Sequence, residues 1–261
     1  MPGLVPGIHA FNVERREGVD GRDFVGSVME AIKVLSAGAV QSMVTALGAE
    51  FERASGNKLN LNFNTVGANR AKLEAGEATD LAILSESAIA VLDKSGLFLP
   101  GSITDLGRTI TGVVVKEGAP VPDISTPQAL KQALLKARSV SYSDPAAGGS
   151  SGTYFAGLLE KLGIADAIKP KAVLGKRGFE VAQAVADGRA EIGTTFISEA
   201  LTVKGVKVVG PLPGELHNAN TYTAAVHAKS AVADAARAFI RHLTNPAGRD
   251  RWIKAGLEPA F

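Results

Sequence analysis

The stretch Asp144-Pro-Ala-Ala-Gly-Gly-Ser-Ser-Gly-Thr-Tyr154 concentrates more chemistry than any other part of the sequence. Its glycines, Gly152 among them, let the backbone come close to a ligand. Ser150, Ser151 and Thr153 supply hydroxyls, and a helix expected from Tyr154 presents unpaired N–H groups and the positive end of its dipole. Together these suit a carboxylate or an oxyanion. The plainer use of the same residues is an ordinary cap, in which Ser150 or Ser151 satisfies its own helix. Similar helix starts elsewhere favour a ligand: Ser36-Ala37-Gly38, Thr65-Val66-Gly67, and Gly178 as a further wall.

Charged candidates are fewer. Arg70, near the start of a helix, could pair bidentately with a carboxylate if it faces a cleft, although a solvated helix arginine is the simpler reading. Lys176 and Arg177 flank Gly178 and read first as exposed loop charge. Glu180 heads a helix beside the proposed cleft, and His217 lies in a returning loop, so these two are the candidates for a general base. Helix N-terminal carboxylates and loop histidines are commonplace in structural roles. The four histidines show no H-x-x-x-H or H-E-x-x-H spacing, and the sequence lacks cysteine, a G-x-S-x-G elbow and a Walker A motif. No metal and no cofactor is expected.

These residues need a scaffold. The chain has 261 residues, 46% of them hydrophobic, which suffices for one large or two mid-sized cores. Its formal net charge is +2, with no basic block interleaved with aromatics, so nucleic acid is not an expected partner. Charges scattered through Glu14–Asp23 match neither the apolar core of a signal peptide nor regular structure. Residues 1–28 are therefore expected to be a non-native or unstructured extension, with Met29 as the true start.

From Ile32 the pattern alternates between short apolar runs and amphipathic stretches. The spacing predicts a strand at 32–35, a helix over 40–53 ended by Gly56, a strand at 59–63, a helix over 69–74 stopped by Gly76, and a strand at 80–84. That order implies a parallel sheet with helices on both faces and ligands at the strands' carboxyl ends. A β-rich run at 109–115 can carry the chain to a second lobe. Helices at 128–136, 154–162 and 179–186 then alternate with strands at 139–142, 171–174 and 192–197. A strand at 206–209, a loop over 211–220 and a return at 221–227 precede helices at 232–243 and 249–255. The segment beginning Leu73-Glu-Ala-Gly matches the one beginning Val185-Ala-Asp-Gly, as in a duplicated design. The expected fold class is α/β with two lobes, each a mixed sheet flanked by helices. Residues 29–111 with 221–261 form lobe 1 and 112–220 form lobe 2, joined by a two-segment hinge that permits closure.

In order and spacing, five segments resemble the molybdate-binding proteins of bacterial ABC importers. They are Ile32 to Gly56, Leu73-Glu-Ala-Gly-Glu-Ala-Thr-Asp-Leu, Ser143-Asp-Pro…Gly152-Thr-Tyr154, Gly205-Val-Lys-Val-Val and Phe239-Ile-Arg-His-Leu-Thr-Asn-Pro-Ala-Gly. The resemblance spans Ile32 to Pro259 and implies a type 2 periplasmic-binding fold, a monomer, an importer partner and a periplasmic location, although the chain shows no signal peptide. It also implies a site of neutral donors. Matched by spacing, the family's two serines fall at Ala39 and near Gly67, and its tyrosine falls at Phe196. All three hydroxyls are missing. Each lost donor weakens a buried anion site by roughly 1–3 kcal/mol, so a small carboxylate is favoured over molybdate unless Ser36 or Thr65 substitutes. The expected function is a solute-binding protein closing on a small anion. The alternative is an enzyme similar to aconitate isomerase, which resembles the same family and would use Glu180 or His217. An intracellular sensor ranks last.

Overall fold

The computed structural model describes residues 31–261, so the expected extension over 1–28 and the start at Met29 lie outside the described residues. Strand β1 (Ile32–Ala37) is buried apart from Lys33, and a 3-10 turn at Gly38–Val40 leads into helix α1 (Gln41–Ser55). α1 buries Met43, Val44, Leu47 and Phe51 on one face and ends at Gly56, whose φ of 76° is the left-handed cap read from the sequence. β2 (Leu59–Asn64) alternates as an edge strand should. α2 (Val66–Glu74) begins three residues earlier than the periodicity suggests, because the Thr65 side chain caps it by accepting from Ala68 N–H. β3 (Leu81–Ser85) is buried on both faces and runs into α3 (Glu86–Asp93), a helix the sequence reading passed over.

β4 (Thr104–Lys116) joins the two halves. Thr104–Ile110 pairs with β9, and Thr111–Val115 pairs with β7. The strand starts five residues before its apolar run. A pairing irregularity between Asp105 and Gly107 and the exposed Arg108 break the alternation there.

The second half follows the same plan. α4 (Pro127–Lys136) is capped by Thr126. β5 (Val140–Ser143), a 3-10 turn at Pro145–Ala147, α5 (Ser150–Lys161) and α6 (Ala165–Ile168) come next. They are followed by β6 (Ala172–Gly175), α7 (Gly178–Ala186), β7 (Ile192–Phe196), α8 (Ile197–Ala200) and β8 (Val206–Pro211). The chain returns through β9 (Ala219–Val226) to α9 (Ala233–Leu243), α10 (Arg249–Lys254) and β10 (Glu258–Pro259).

The strand order β2-β1-β3-β9-β4-β7-β5-β6 makes one continuous path, with β8 and β10 also paired to β4. β1, β2 and β3 are mutually parallel, as are β5, β6 and β7, while β9 runs antiparallel to β3 and β4 antiparallel to β7. One core collects Val34, Leu47, Phe51, Phe239 and Trp252, and another collects Val113, Leu134, Phe155, Leu159 and Ile192. The parallel strands of both halves therefore deliver their carboxyl ends to the loops before α1, α2, α5 and α7, where ligands of such sheets sit.

Candidate functional site

On the first lobe, Ser36 at the end of β1 is fully buried, and its hydroxyl donates to Ala37 O at 3.2 Å. Its carbonyl accepts from Asn69 Nδ2 at 2.9 Å, which ties the start of α2 to β1. Thr65 Oγ1 has two roles: it accepts from Ala68 N–H (3.1 Å), and it donates across the gap to Ala147 O (2.6 Å). Beside it, Gly67 N–H donates to Gly148 O at 3.0 Å. The approach needs glycine on both sides, since a Cβ on Gly67 would lie 2.9 Å from Gly148 Cα and Gly148 itself has φ 72°. The loops before α2 and α5 thus meet face to face.

On the second lobe, α5 starts at Ser150 rather than Tyr154, so the serines form its first turn, and Gly149 gives no side-chain cap. Ser150, in the first turn of α5, lies near enough to Tyr222 on β9 to favour its ionised form. Burial and the neighbouring Glu199 charge push the Tyr222 phenol far above its usual range, so it stays a neutral hydroxyl. Ser151 is buried. Gly152 packs so tightly on β5 that a Cβ would overlap Ser143 O. Thr153 is exposed and donates to Gly149 O at 3.1 Å. Ser143 Oγ at the end of β5, Thr194 Oγ1 on β7 and Asn69 Oδ1 are buried without a partner. Thr79 Oγ1, His242 Nε2 and Trp252 Nε1 are in the same condition away from the cleft.

The loop before α7 holds the titratable centre. Gly178 N–H donates to the Glu199 carboxylate, and Thr195 Oγ1 donates to Glu199 Oε2 at 3.4 Å. From the other lobe, a Cβ on Gly38 would stand 3.2 Å from Glu199 Oε1. Burial raises the Glu199 carboxyl to about 7, against the lowering influence of Gly178 N–H, the Thr195 hydroxyl and Arg177. A cavity of about 420 Å³ opens beside it, lined by Gly38, Gln41, Ser42, Thr45, Phe179 and Glu199 among others.

The remaining sequence candidates lie elsewhere. Arg70 points along the outside of α2, 2.8 Å from Glu74 Oε1 and 44% exposed. Glu180 Oε2 accepts from Lys176 N–H at 2.9 Å, and its Oε1 lies 3.5 Å from Arg177 Nε, so it serves its own turn. Arg177 also stacks over Phe179, 4.5 Å from the ring centre. His217 is exposed beyond a 3-10 turn. Ala39 and Phe196 are buried in the first-lobe core, Phe196 edge-on to Tyr222 at 6.2 Å between ring centres. Glu199, Tyr222, Asn69, Ser143 and Thr194 were not among the sequence candidates. For Glu199 the available signal is an acidic residue just past the apolar strand β7; for Tyr222, inside an ordinary strand, there is none.

Two facing lobes with neutral donors at their strand ends are the architecture of a solute receptor, and the comparisons agree. The family described as bacterial extracellular solute-binding protein matches residues 32–258. The chain belongs to that family. The aconitate isomerase of Pseudomonas sp. is 32% identical over 234 residues, 87% of either chain. The molybdate-binding protein ModA of Escherichia coli is 24% identical over 231 residues, 87% of this chain and 88% of ModA. The periplasmic molybdate-binding protein of Azotobacter vinelandii superposes with a TM-score of 0.68 at 20% identity, over 87% of this chain and 98% of its own. The fold is the type 2 periplasmic-binding fold, as the resemblance implied. Among the described residues, no helix is long and apolar enough to cross a membrane.

Proposed function

We propose that the chain is a two-lobed receptor that closes on a small carboxylate in an extracytoplasmic compartment and presents it to an ABC importer. The observation that carries this reading is the pair of contacts Thr65–Ala147 and Gly67–Gly148, which bring the start of α2 against the approach to α5. With the loops so placed, the uncapped first turn of α5, Ser150 and Tyr222 can act together on an anion, and Ser143 Oγ and Thr194 Oγ1 still lack partners. Nothing in this set requires an arginine clamp, in keeping with Arg70 turned away to Glu74. Ala39 and Phe196 offer no hydroxyl, which weighs against molybdate and for a longer ligand that can reach several loops.

A thermal-shift series with molybdate, sulfate, citrate and cis- and trans-aconitate tests the reading. A ligand at one hundred times its dissociation constant adds about 2.7 kcal/mol of stability. A shift of that size with a carboxylate supports the proposal; a shift with molybdate alone refutes the ligand class.

A second reading is favoured by a specific observation. Glu199 is a cleft carboxyl raised to about 7, where a general acid or base works best near neutral pH. Together with the 32% identical aconitate isomerase, it supports proton-shift chemistry on a bound polycarboxylate. Mixing the purified protein with either aconitate isomer and following interconversion by NMR separates an isomerase from a receptor.

A further inference from the structure

We propose that Glu199 is the acid–base residue of a one-base proton shift on an unsaturated polycarboxylate held between the lobes. This rests on the second reading above and assigns its chemistry to a residue other than Glu180 or His217. Three placements carry it. Glu199 stands where the lobes meet, with Gly38 on one side and Gly178 on the other. Any side chain at position 178 would overlap its carboxylate, so the absence of a Cβ there makes the room. Glu199 is also the one titratable group lining the adjoining cavity, whose other polar walls are the neutral side chains of Gln41, Ser42, Thr45 and Thr202. Finally, α1 and α7 both start beside it without a side-chain cap, which brings the positive ends of two helix dipoles to the site, although Gln41 N–H already donates to Gly38 O and Glu180 N–H to Arg177 O.

The rival carboxylate is already engaged. Glu180 takes Lys176 N–H and Arg177, so it is held on its own turn. The charged or titratable groups acting on Glu199 are Arg177, from the loop before α7, and Tyr222, from β9; Gly38, Gln41, Ser42 and Thr45 bring no charge from the first lobe.

The step balances without any co-reactant. The ionised Glu199 takes a proton from a carbon next to the substrate's double bond. That C–H pair becomes a new C=C bond, and the old π pair moves to the far carbon, spread into its carboxylate. Glu199 then returns the proton to the far carbon and ends ionised, as it began. One C–H bond has broken, one has formed, and the double bond has moved by one carbon. The dipoles of α1 and α7, which start beside Glu199, favour the negative charge that accumulates between the two transfers.

The test compares wild type, E199Q and E199D with cis- and trans-aconitate as probes. Turnover is followed by NMR, and binding by the ligand-induced rise in melting temperature. Glutamine keeps an acceptor for Gly178 N–H but cannot carry the proton. E199Q should lose turnover by about 10²–10⁴-fold while keeping its aconitate-induced stabilisation. Wild-type kcat/KM should rise with pH through about 7, and E199D should turn over slowly with that midpoint displaced. Turnover by E199Q within tenfold of wild type overturns the assignment and leaves the isomerase reading standing. Wild type that is stabilised by aconitate yet never interconverts it overturns both. Should E199Q fail to fold, E199D decides, and a wild-type rate with an unmoved pH profile rejects the assignment.

Discussion

Helices α2 and α7 end alike and begin differently. Gly76 (φ 80°) closes the first and Gly188 (φ 77°) the second, and each hands the chain to a fully buried strand, β3 or β7. This is the repeat visible between the segments at Leu73 and Val185. At their starts, α2 has the Thr65 side chain as its cap, whereas α7 has none and draws in Glu199 from a different element. The hydroxyl side chains along the cleft show the same contrast, although the Asn69 Oδ1 amide oxygen on the first lobe is itself buried without a partner. Ser36, Thr65 and Ser85 on the first lobe all have hydrogen-bond partners within the chain. On the second, Ser143 Oγ and Thr194 Oγ1 have none, and the carboxyl of Glu199 sits in a site that penalises its charge. The two halves thus share helix ends and strand burial, which the core demands, and differ in the chemistry of their helix starts. The first lobe behaves as a finished frame and the second as the receptive half.

The largest expected effect comes from breaking the second-lobe arrangement at Gly178. In G178V the new side chain would displace the Glu199 carboxylate from its N–H and strand it in a buried site. Overpacking together with the unpaired carboxylate should cost roughly 3–5 kcal/mol by denaturant unfolding. The matching first-lobe change, G67A, meets the Gly148 backbone (Cα at 2.9 Å, O at 3.2 Å), and parting the loops relieves it at the expense of the Thr65–Ala147 and Gly67–Gly148 hydrogen bonds, without stranding a charge. A cost well under that of G178V is expected, with weakened closure. Equal losses for the two variants would erase the distinction between frame and receptive half.

The next effect sharpens the contrast through pH. The Glu199 carboxyl is raised from 4.5 to about 7 on folding, so between those values the folded state holds more protons than the unfolded chain. Stability from this group is fully present below about 4.5 and is lost as pH rises to about 7. At 1.36 kcal/mol per pH unit the total is about 3 kcal/mol. E199Q removes the dependence, so its stability relative to wild type should rise by about that amount between pH 4.5 and pH 8. A difference that stays flat across this range would place the carboxylate in a solvated or well-paired setting.

A smaller pair of effects separates hydroxyls with partners from those without. T65V removes the cap to Ala68 N–H and the donor to Ala147 O, and should cost about 1–2 kcal/mol in the free protein. S143A removes a buried hydroxyl that has no partner, so the free protein should be unchanged or slightly more stable. Its ligand affinity should fall by about fivefold to tenfold, corresponding to roughly 1 kcal/mol for one hydrogen bond. Calorimetric titration beside thermal unfolding reads both quantities. S143A with lower stability and unaltered affinity would make Ser143 a frame residue after all.

What was legible in the sequence is what the backbone and the core require locally. Gly56, Gly76 and Gly163 announce helix ends because each sits at φ between 66° and 80°, where a side chain is strained. Buried runs such as Leu81–Leu84 announce central strands. The first half of β4 escaped because the irregularity after Asp105 disrupts the period of two. The start of α5 escaped because serines and glycines read equally as loop or first turn, and only the packing of Gly152 on Ser143 decides between them. For the candidate site, the glycine-rich helix starts drew attention in the sequence, and Gly38, Gly67, Ser150 and Gly178 lie beside the interlobe contacts. Glu199 and Tyr222 were not, because their importance comes from contacts between elements far apart in sequence. No spacing rule pairs position 199 with 38 and 178, or position 222 with 150.

The smallest expected effect falls on Arg70, the most attractive charge for an anion site by sequence alone. Its guanidinium Nε lies 2.8 Å from Glu74 Oε1, one helical turn along α2, and the side chain is 44% exposed. An exposed pair at that spacing stabilises a helix by only about 0.3–0.5 kcal/mol, less at high salt. R70A should therefore lose no more than that in unfolding experiments and leave anion affinity within about twofold, since no cleft donor would be removed. A much larger fall in affinity, still present at raised ionic strength, would mean that Arg70 leaves Glu74 and swings into the cleft when ligand binds. The first lobe would then contribute a charge to the ligand after all, and the contrast between a finished frame and a receptive half would have to be redrawn around α2.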